Sequence, residues 1–179
     1  MKAKSILLTL AIITVLFTGC GQQAAPPEAS KTDVVTSASI VDTAAGFEKA
    51  ISNKGTWIIC TTKDLTIDNK LVLDGEYKNG KKDDKGNDVI QRKIALYTQD
   101  ADRNITARFI LTAPELTVKS PEASIQHGTF KGDVIVSVKD FQLIDATVDG
   151  NVYFTTDEAQ STFKMDDKSK ITGKQELKK

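Results

Sequence analysis

Between Leu116 and Phe154 the apolar positions recur at a fixed interval. Leu116, Val134 and Val152 are separated by 134−116 = 18 and 152−134 = 18 residues, and Val118, Val136 and Phe154 follow at the same spacing. Ile125 with Leu143, Phe130 with Val148 and Gly132 with Gly150 keep the interval, so it runs through apolar and turn positions alike. A repeat of this length implies a solenoid, in which each coil buries its inner face only by stacking on the next. Backbone hydrogen bonds would then run from coil to coil, about 4.8 Å apart. The fold class expected is all-β: a single-stranded, right-handed β-helix of about 18 residues per coil with an N-terminal capping α-helix.

The cap is read from a change of period. Asp42 can accept backbone N–H bonds at a helix start, and Ala44, Phe47, Ala50 and Ile51 recur at three and four residues, which predicts an amphipathic helix over residues 42–52. Asn53, Lys54 and Gly55 would end it. Its role would be to cover the core and the unpaired backbone groups at an open coil end. Short β-rich runs follow at Thr56 to Cys60, Asp64 to Ile67 and Leu71 to Leu73. Tyr77 to Arg92 is a run of charge and turn formers, and Asp83, Asp84 and Asp88 within it lack the spacing of a calcium loop, so a solvated hairpin is expected. The interval from Leu71 to Ile94, 94−71 = 23, suits one coil plus that insertion, whereas Ile105 to Leu111 finds no place in the register. A corner recurs at Thr129 to Gly132, Thr147 to Gly150 and Lys170 to Gly173, the last displaced by 173−150 = 23, which predicts a second insertion at residues 164–169. The corner glycines are read as backbone conformations closed to other residues.

The N-terminus changes the picture from a fold to an address. Lys2 and Lys4 precede an uncharged run from Ser5 to Gly19, too short for a bilayer span of about 20 residues and laid out as a secretory signal. The run ends in Leu16, Phe17, Thr18, Gly19 and Cys20, which resembles the lipobox of bacterial lipoproteins. That resemblance implies cleavage before Cys20, a diacylglycerol on its sulfur and acylation (palmitate or a similar chain) of its amine. Two acyl chains suffice for stable anchoring. Residues 1–19 are therefore the expected signal peptide, residues 20–39, rich in Gln, Ala, Pro, Ser and Thr, a disordered tether, and residues 40–179 the β-helix domain.

Composition narrows the partners. The chain carries 24 basic and 24 acidic side chains, and loss of residues 1–19 removes two lysines and no acids, leaving 22 basic against 24 acidic. A nucleic-acid partner would show clustered Lys and Arg, so none is expected. With Cys20 lipidated, Cys60 has no intramolecular partner and is read as a small buried hydrophobe.

Two further segments, Val148 to Val152 (Val-Asp-Gly-Asn-Val) and Ile171 to Lys174 (Ile-Thr-Gly-Lys), resemble rungs of bactofilin-type polymer-forming β-helices over roughly residues 110–175. The resemblance implies a small scaffold that assembles end to end. The lipobox, tether and helix are not part of that pattern.

Candidate chemistry is sparse. Glu122, Asp140 and Glu158 fall at 140−122 = 18 and 158−140 = 18, a column of stacked carboxylates that could hold calcium or mark an exposed corner screened by Lys139. Several β-helices act on acidic polysaccharides with such carboxylates, which keeps a carbohydrate-active enzyme or carbohydrate-binding lipoprotein as the alternative. His127, the single histidine, has no Ser or Cys pattern around it and is read as satisfied or surface-exposed, and Trp57 as part of the first coil's core. No catalytic residue and no cofactor is expected beyond that cation column. The function expected is a lipid-anchored structural or interaction module on the extracytoplasmic face of the cell membrane. Its partners would be the lipid held through Cys20 and a cell-envelope polymer or protein, and the chain itself a monomer or dimer.

Overall fold

The computed structural model describes residues 38–178, so the predicted signal peptide, Cys20 and most of the predicted tether lie outside the described residues. In chain order the elements are β1 (Ala38–Val41), α1 (Ala44–Ile51), β2 (Ile58–Thr61), β3 (Leu65–Thr66), β4 (Leu71–Leu73), β5 (Lys78–Lys82), β6 (Asp88–Ile90) and β7 (Arg92–Ala95). They continue with β8 (Tyr97–Gln99), β9 (Ile105–Arg108), β10 (Ile110–Val118), β11 (Ala123–Gln126), β12 (Thr129–Val136), β13 (Gln142–Ile144) and β14 (Thr147–Asp149). The last are β15 (Val152–Phe154), α2 (Asp157–Thr162), β16 (Lys164–Met165), β17 (Lys170–Ile171) and β18 (Gln175–Leu177). Apart from the two short helices the described chain is all-β.

Two large sheets are built from parallel pairs. The first runs β1-β2-β7-β11-β13-β16; the second runs β17-β14-β12-β10-β3, with β4 also on β10, β15 on β12 and β18 on β15. From β10 onward the chain alternates between them, so residues one interval apart become neighbours in the same sheet. Leu71, Leu116, Val134 and Val152 pair in succession, as do Leu73, Val118, Val136 and Phe154. In the first sheet Ile59, Ile94, Ile125, Leu143 and Met165 form the matching row. All but Met165 are essentially inaccessible, and with Phe47, Phe130, Phe141 and Val148 they make one continuous apolar core.

Several expectations are corrected. Strand β1 opens two residues inside the predicted tether, with Ala38 and Ser39 paired to Ile58 and Ile59. Helix α1 is capped by Thr43 instead of Asp42: its extended backbone (φ −131°) lets Oγ1 accept the Gly46 N–H at 3.1 Å. Leu71 and Ile94 belong to different sheets, because the strand beside Leu71 is the one carrying Leu116. Most of the second insertion is helix α2, not residues 164–169. Val136 pairs Phe154 at 18 residues, but Gln142 pairs Lys164 at 164−142 = 22 once α2 has intervened. Ile105 to Arg108 is the return strand of a hairpin with β8, which is why it fits no coil. Trp57 is half-buried and outside the core. Of the corner glycines only Gly132 has a left-handed backbone (φ 139°); a Cβ on Gly150 would lie 2.0 Å from the Gly132 carbonyl oxygen, so close stacking excludes a side chain there.

Helix α1 packs on β1, β2 and β4 and buries Phe47, Ala50 and Ile51. Its C-terminal end is held by Arg92, which is 0% exposed and makes no ion pair among the described residues. One Nη2 donates to the Ala50 carbonyl (2.8 Å) and the Ser52 carbonyl (3.0 Å), Nη1 donates to the Asp74 carbonyl (2.9 Å), and the guanidinium sits 3.9 Å from the Tyr77 ring centre. A cation at the negative end of a helix is electrostatically favoured. Burial still lowers its pKa.

Candidate functional site

The outer face of the first sheet and the two rows of corners that flank it bring together most of the chemistry-bearing side chains. Since Ile94, Ile125 and Leu143 point inward, their strand neighbours point outward. Ile58, Lys93, Ser124, Gln142 and Lys164 thus form one outer row, and Ile40, Cys60, Ala95, Gln126 and Ile144 the next. Ser124 and Gln126 are buried even on this side, and Gln126 Nε2 donates to Ser124 Oγ at 3.0 Å.

At the corners the chain turns through left-handed backbone. Glu122 (φ 53°) and Asp140 (φ 57°) precede β11 and β13, while His127 (φ 59°) and Asp145 (φ 48°) follow them. Asp and His tolerate that region better than most side chains.

The carboxylate corner has two acidic members, not three. Burial first, then the charge of the neighbouring Asp140, pushes the Glu122 carboxyl up. Lys164 Nζ donates to Asp140 Oδ1 at 3.2 Å. Glu158 sits on the exposed side of α2, and the residue that stacks on Asp140 is Thr162, whose Oγ1 accepts the Asp140 N–H at 2.9 Å. The interval of 22 residues between β13 and β16 moves Glu158 out of the column. Among the described residues no three of His, Cys, Asp and Glu are grouped to hold a metal ion.

At the other corner His127 Nδ1 lies 3.1 Å from Asp145 Oδ2, and Arg108 donates to the same oxygen. The Tyr97 ring meets His127 edge-on at 4.6 Å. Hydrogen bonding from Arg108 holds the Asp145 carboxyl below its usual range, and the Asp145 N–H donates to Asp166 at 3.0 Å. His127 is thus a partnered residue, 18 positions before the aspartate it contacts.

Beside this corner Tyr97, Thr98 and Gln99 of β8 wall a groove of about 270 Å³ floored by Ile40, Ile58, Cys60, Lys93 and Ala95. Cys60 faces this groove and is half-buried, where a core position was expected. Burial pushes its thiol up, opposed by the charge of Lys93. Lys93 is itself lowered by burial. A thiol held protonated in this way is a poor nucleophile.

Sequence reasoning missed Arg92, Lys93 and Arg108, and with them the groove wall. Asp100 to Asn104, a turn-forming run between β-rich segments, was the available signal for the hairpin that builds the wall; its Asp100 carboxylate accepts from the Asn104 N–H at 2.8 Å. Among the described residues no helix is long and apolar enough to cross a membrane. No known protein family, curated protein or solved structure matches this chain.

Proposed function

We propose that the chain is a lipoprotein anchored through Cys20 on the extracytoplasmic face of a cell membrane. Its two parallel sheets are read as faces of a single-stranded β-helix that serves as a structural or interaction module. The observation that carries this reading is the parallel pairing of Leu116 with Val134 and of Val134 with Val152, which follows the interval of the sequence repeat, downstream of a segment that resembles a lipobox. Such a stack is a rigid spacer whose polar side chains are largely engaged with the next row, as Asp133 is with Asn151 (2.9 Å from its N–H) and Arg108 with Asp145. The resemblance to bactofilin-type rungs supports a scaffold. Exchange of Cys20 for Ser should leave the fold intact and release the protein from membranes, because the first strand begins 38−20 = 18 residues later. Retention of that variant on salt-washed membranes would refute the anchor.

One observation favours the second reading, a carbohydrate-binding or carbohydrate-active lipoprotein. Glu122 and Asp140 stand at successive left-handed turns beside the first sheet, and burial with the Asp140 charge raises the Glu122 carboxyl, the kind of pairing that general acid–base chemistry on glycans uses. Turnover or binding of acidic glycans that Asp140→Asn removes would establish it.

A further inference from the structure

Among the described residues the first sheet ends in β1 on one side and β16 on the other, and the two ends are built differently. The β16 end is a two-residue strand bearing Lys164, the kind of short charged edge that discourages pairing. The β1 end is four residues long and uncharged, and Ile40 on it is 74% exposed. Helix α1 packs on β1 and β2 as well as on β4 of the second sheet, where the Asp74 N–H donates to the Ile51 carbonyl at 3.0 Å, yet it leaves Ile40 exposed. The Val41 carbonyl accepts from the Thr62 N–H at 3.2 Å, on the β2 side. By the alternation of a parallel ladder, the N–H and carbonyl of Ile40, one residue earlier, point away from the sheet.

A cavity lies on each side of this edge. On the outer side is the apolar groove of Ile40, Ile58, Cys60 and Tyr97. On the other, a concavity of about 350 Å³ runs between β1, Lys49 and Ala50 of α1, and Lys54. Lys49 and Lys54 are exposed and make no ion pair among the described residues. An edge lying between helix and loop accepts a single extended strand more readily than the equally recessed edge of a second copy.

We propose that β1 is a docking edge for an extended segment of a partner protein, which adds to the first sheet by main-chain hydrogen bonds to Ile40. Alternate side chains of such a segment face opposite sides. Apolar ones would continue the Ile40–Cys60 row into the groove, and acidic ones would meet Lys49 and Lys54. The inference goes beyond the anchoring reading and does not depend on it.

The test is fluorescence anisotropy of the full-length chain in detergent with a labelled synthetic peptide alternating valine with aspartate, against its valine–lysine counterpart. Saturable binding of the aspartate peptide, about 10-fold tighter than the lysine peptide, is expected from two exposed charge pairs. The double variant Lys49→Glu, Lys54→Glu, checked for an unchanged melting curve, should invert the preference. Ile40→Pro should abolish binding, since it removes the outward N–H and no bond to β2. No saturable binding, equal binding of both peptides, or binding unaffected by the lysine reversal would overturn the proposal.

Discussion

Two residues show how differently single side chains serve this fold. Arg92 is buried with no ion pair among the described residues, and its worth lies in three carbonyls, those of Ala50, Ser52 and Asp74, that would otherwise lose their donor. Replacement by Ala should destabilise by about 4 kcal/mol, and by Lys, which cannot span the same fork of acceptors, by about 2 kcal/mol; denaturant unfolding measures both. Asp88 is half-buried on its hairpin, where hydrogen bonds from Lys78 and then Lys82 bring its carboxyl down to about 2. A carboxyl lowered on folding contributes stability that is present above its unfolded pKa and lost as pH falls through its folded one. The hairpin β5–β6 should therefore loosen between about pH 4 and pH 2, and a carboxyl NMR titration should give Asp88 a midpoint near 2 that Lys78→Ala moves upward. The hairpin that carries Asp88 was legible in the sequence, but its two lysine partners were not, and the role of Arg92 was not legible at all. Arg92 reads as one more charge after a charged loop, and only the return of the chain past α1 makes it a cap.

At the scale of elements, what could be read depended on whether the signal was local. The apolar spacing of α1 lies within one helix and was visible; its cap was misplaced by one residue because Asp42 and Thr43 are both competent and only backbone geometry chooses. Helix α2 carries one buried residue, Ala159, and so has no apolar stripe to find. Glu158 was assigned to the carboxylate column for that reason. The corner glycines were found, but their cause was half right, and two substitutions separate conformation from contact. At Gly80 (φ 79°) nothing lies within 4 Å of an added Cβ, so Gly80→Ala should cost about 1 kcal/mol of backbone strain. At Gly150 the backbone is permissive but the Gly132 carbonyl oxygen is 2.0 Å from the Cβ position, and Gly150→Ala should cost about 3 kcal/mol by forcing two rows apart. Equal melting shifts for the two variants would contradict that assignment.

For the whole molecule, the repeat was legible only where consecutive rows follow without interruption. Leu71 stands directly beside Leu116, 116−71 = 45 residues away, because the hairpins β5–β6 and β8–β9 leave the sheets between them; no fixed interval could reveal that pair. The same construction sets how stability is distributed along the stack. Rows β10, β12, β14 and β15 are paired on both sides and carry Leu116, Val118, Val134, Val136, Val148 and Phe154 at full burial. The last rows, β16, β17 and β18, have one neighbour each, and Met165 among them is 45% exposed. A strand held from one side, with little apolar area under it, opens without disturbing the rest. Hydrogen exchange should therefore proceed from the C-terminal end inward. The amides of residues 164–178 should exchange first by local opening. Those of Val134 to Val136 should exchange only with global unfolding, at rates that follow its free energy. At the N-terminal end β1 is also held from one side among the described residues, yet the buried Phe47 and Ile51 of α1 and the Arg92 bonds tie the adjoining chain to β2 and β4, so its protection should fall between these limits. Uniform exchange across all rows would show that the stack unfolds as one cooperative unit and that its end strands contribute as much as its centre.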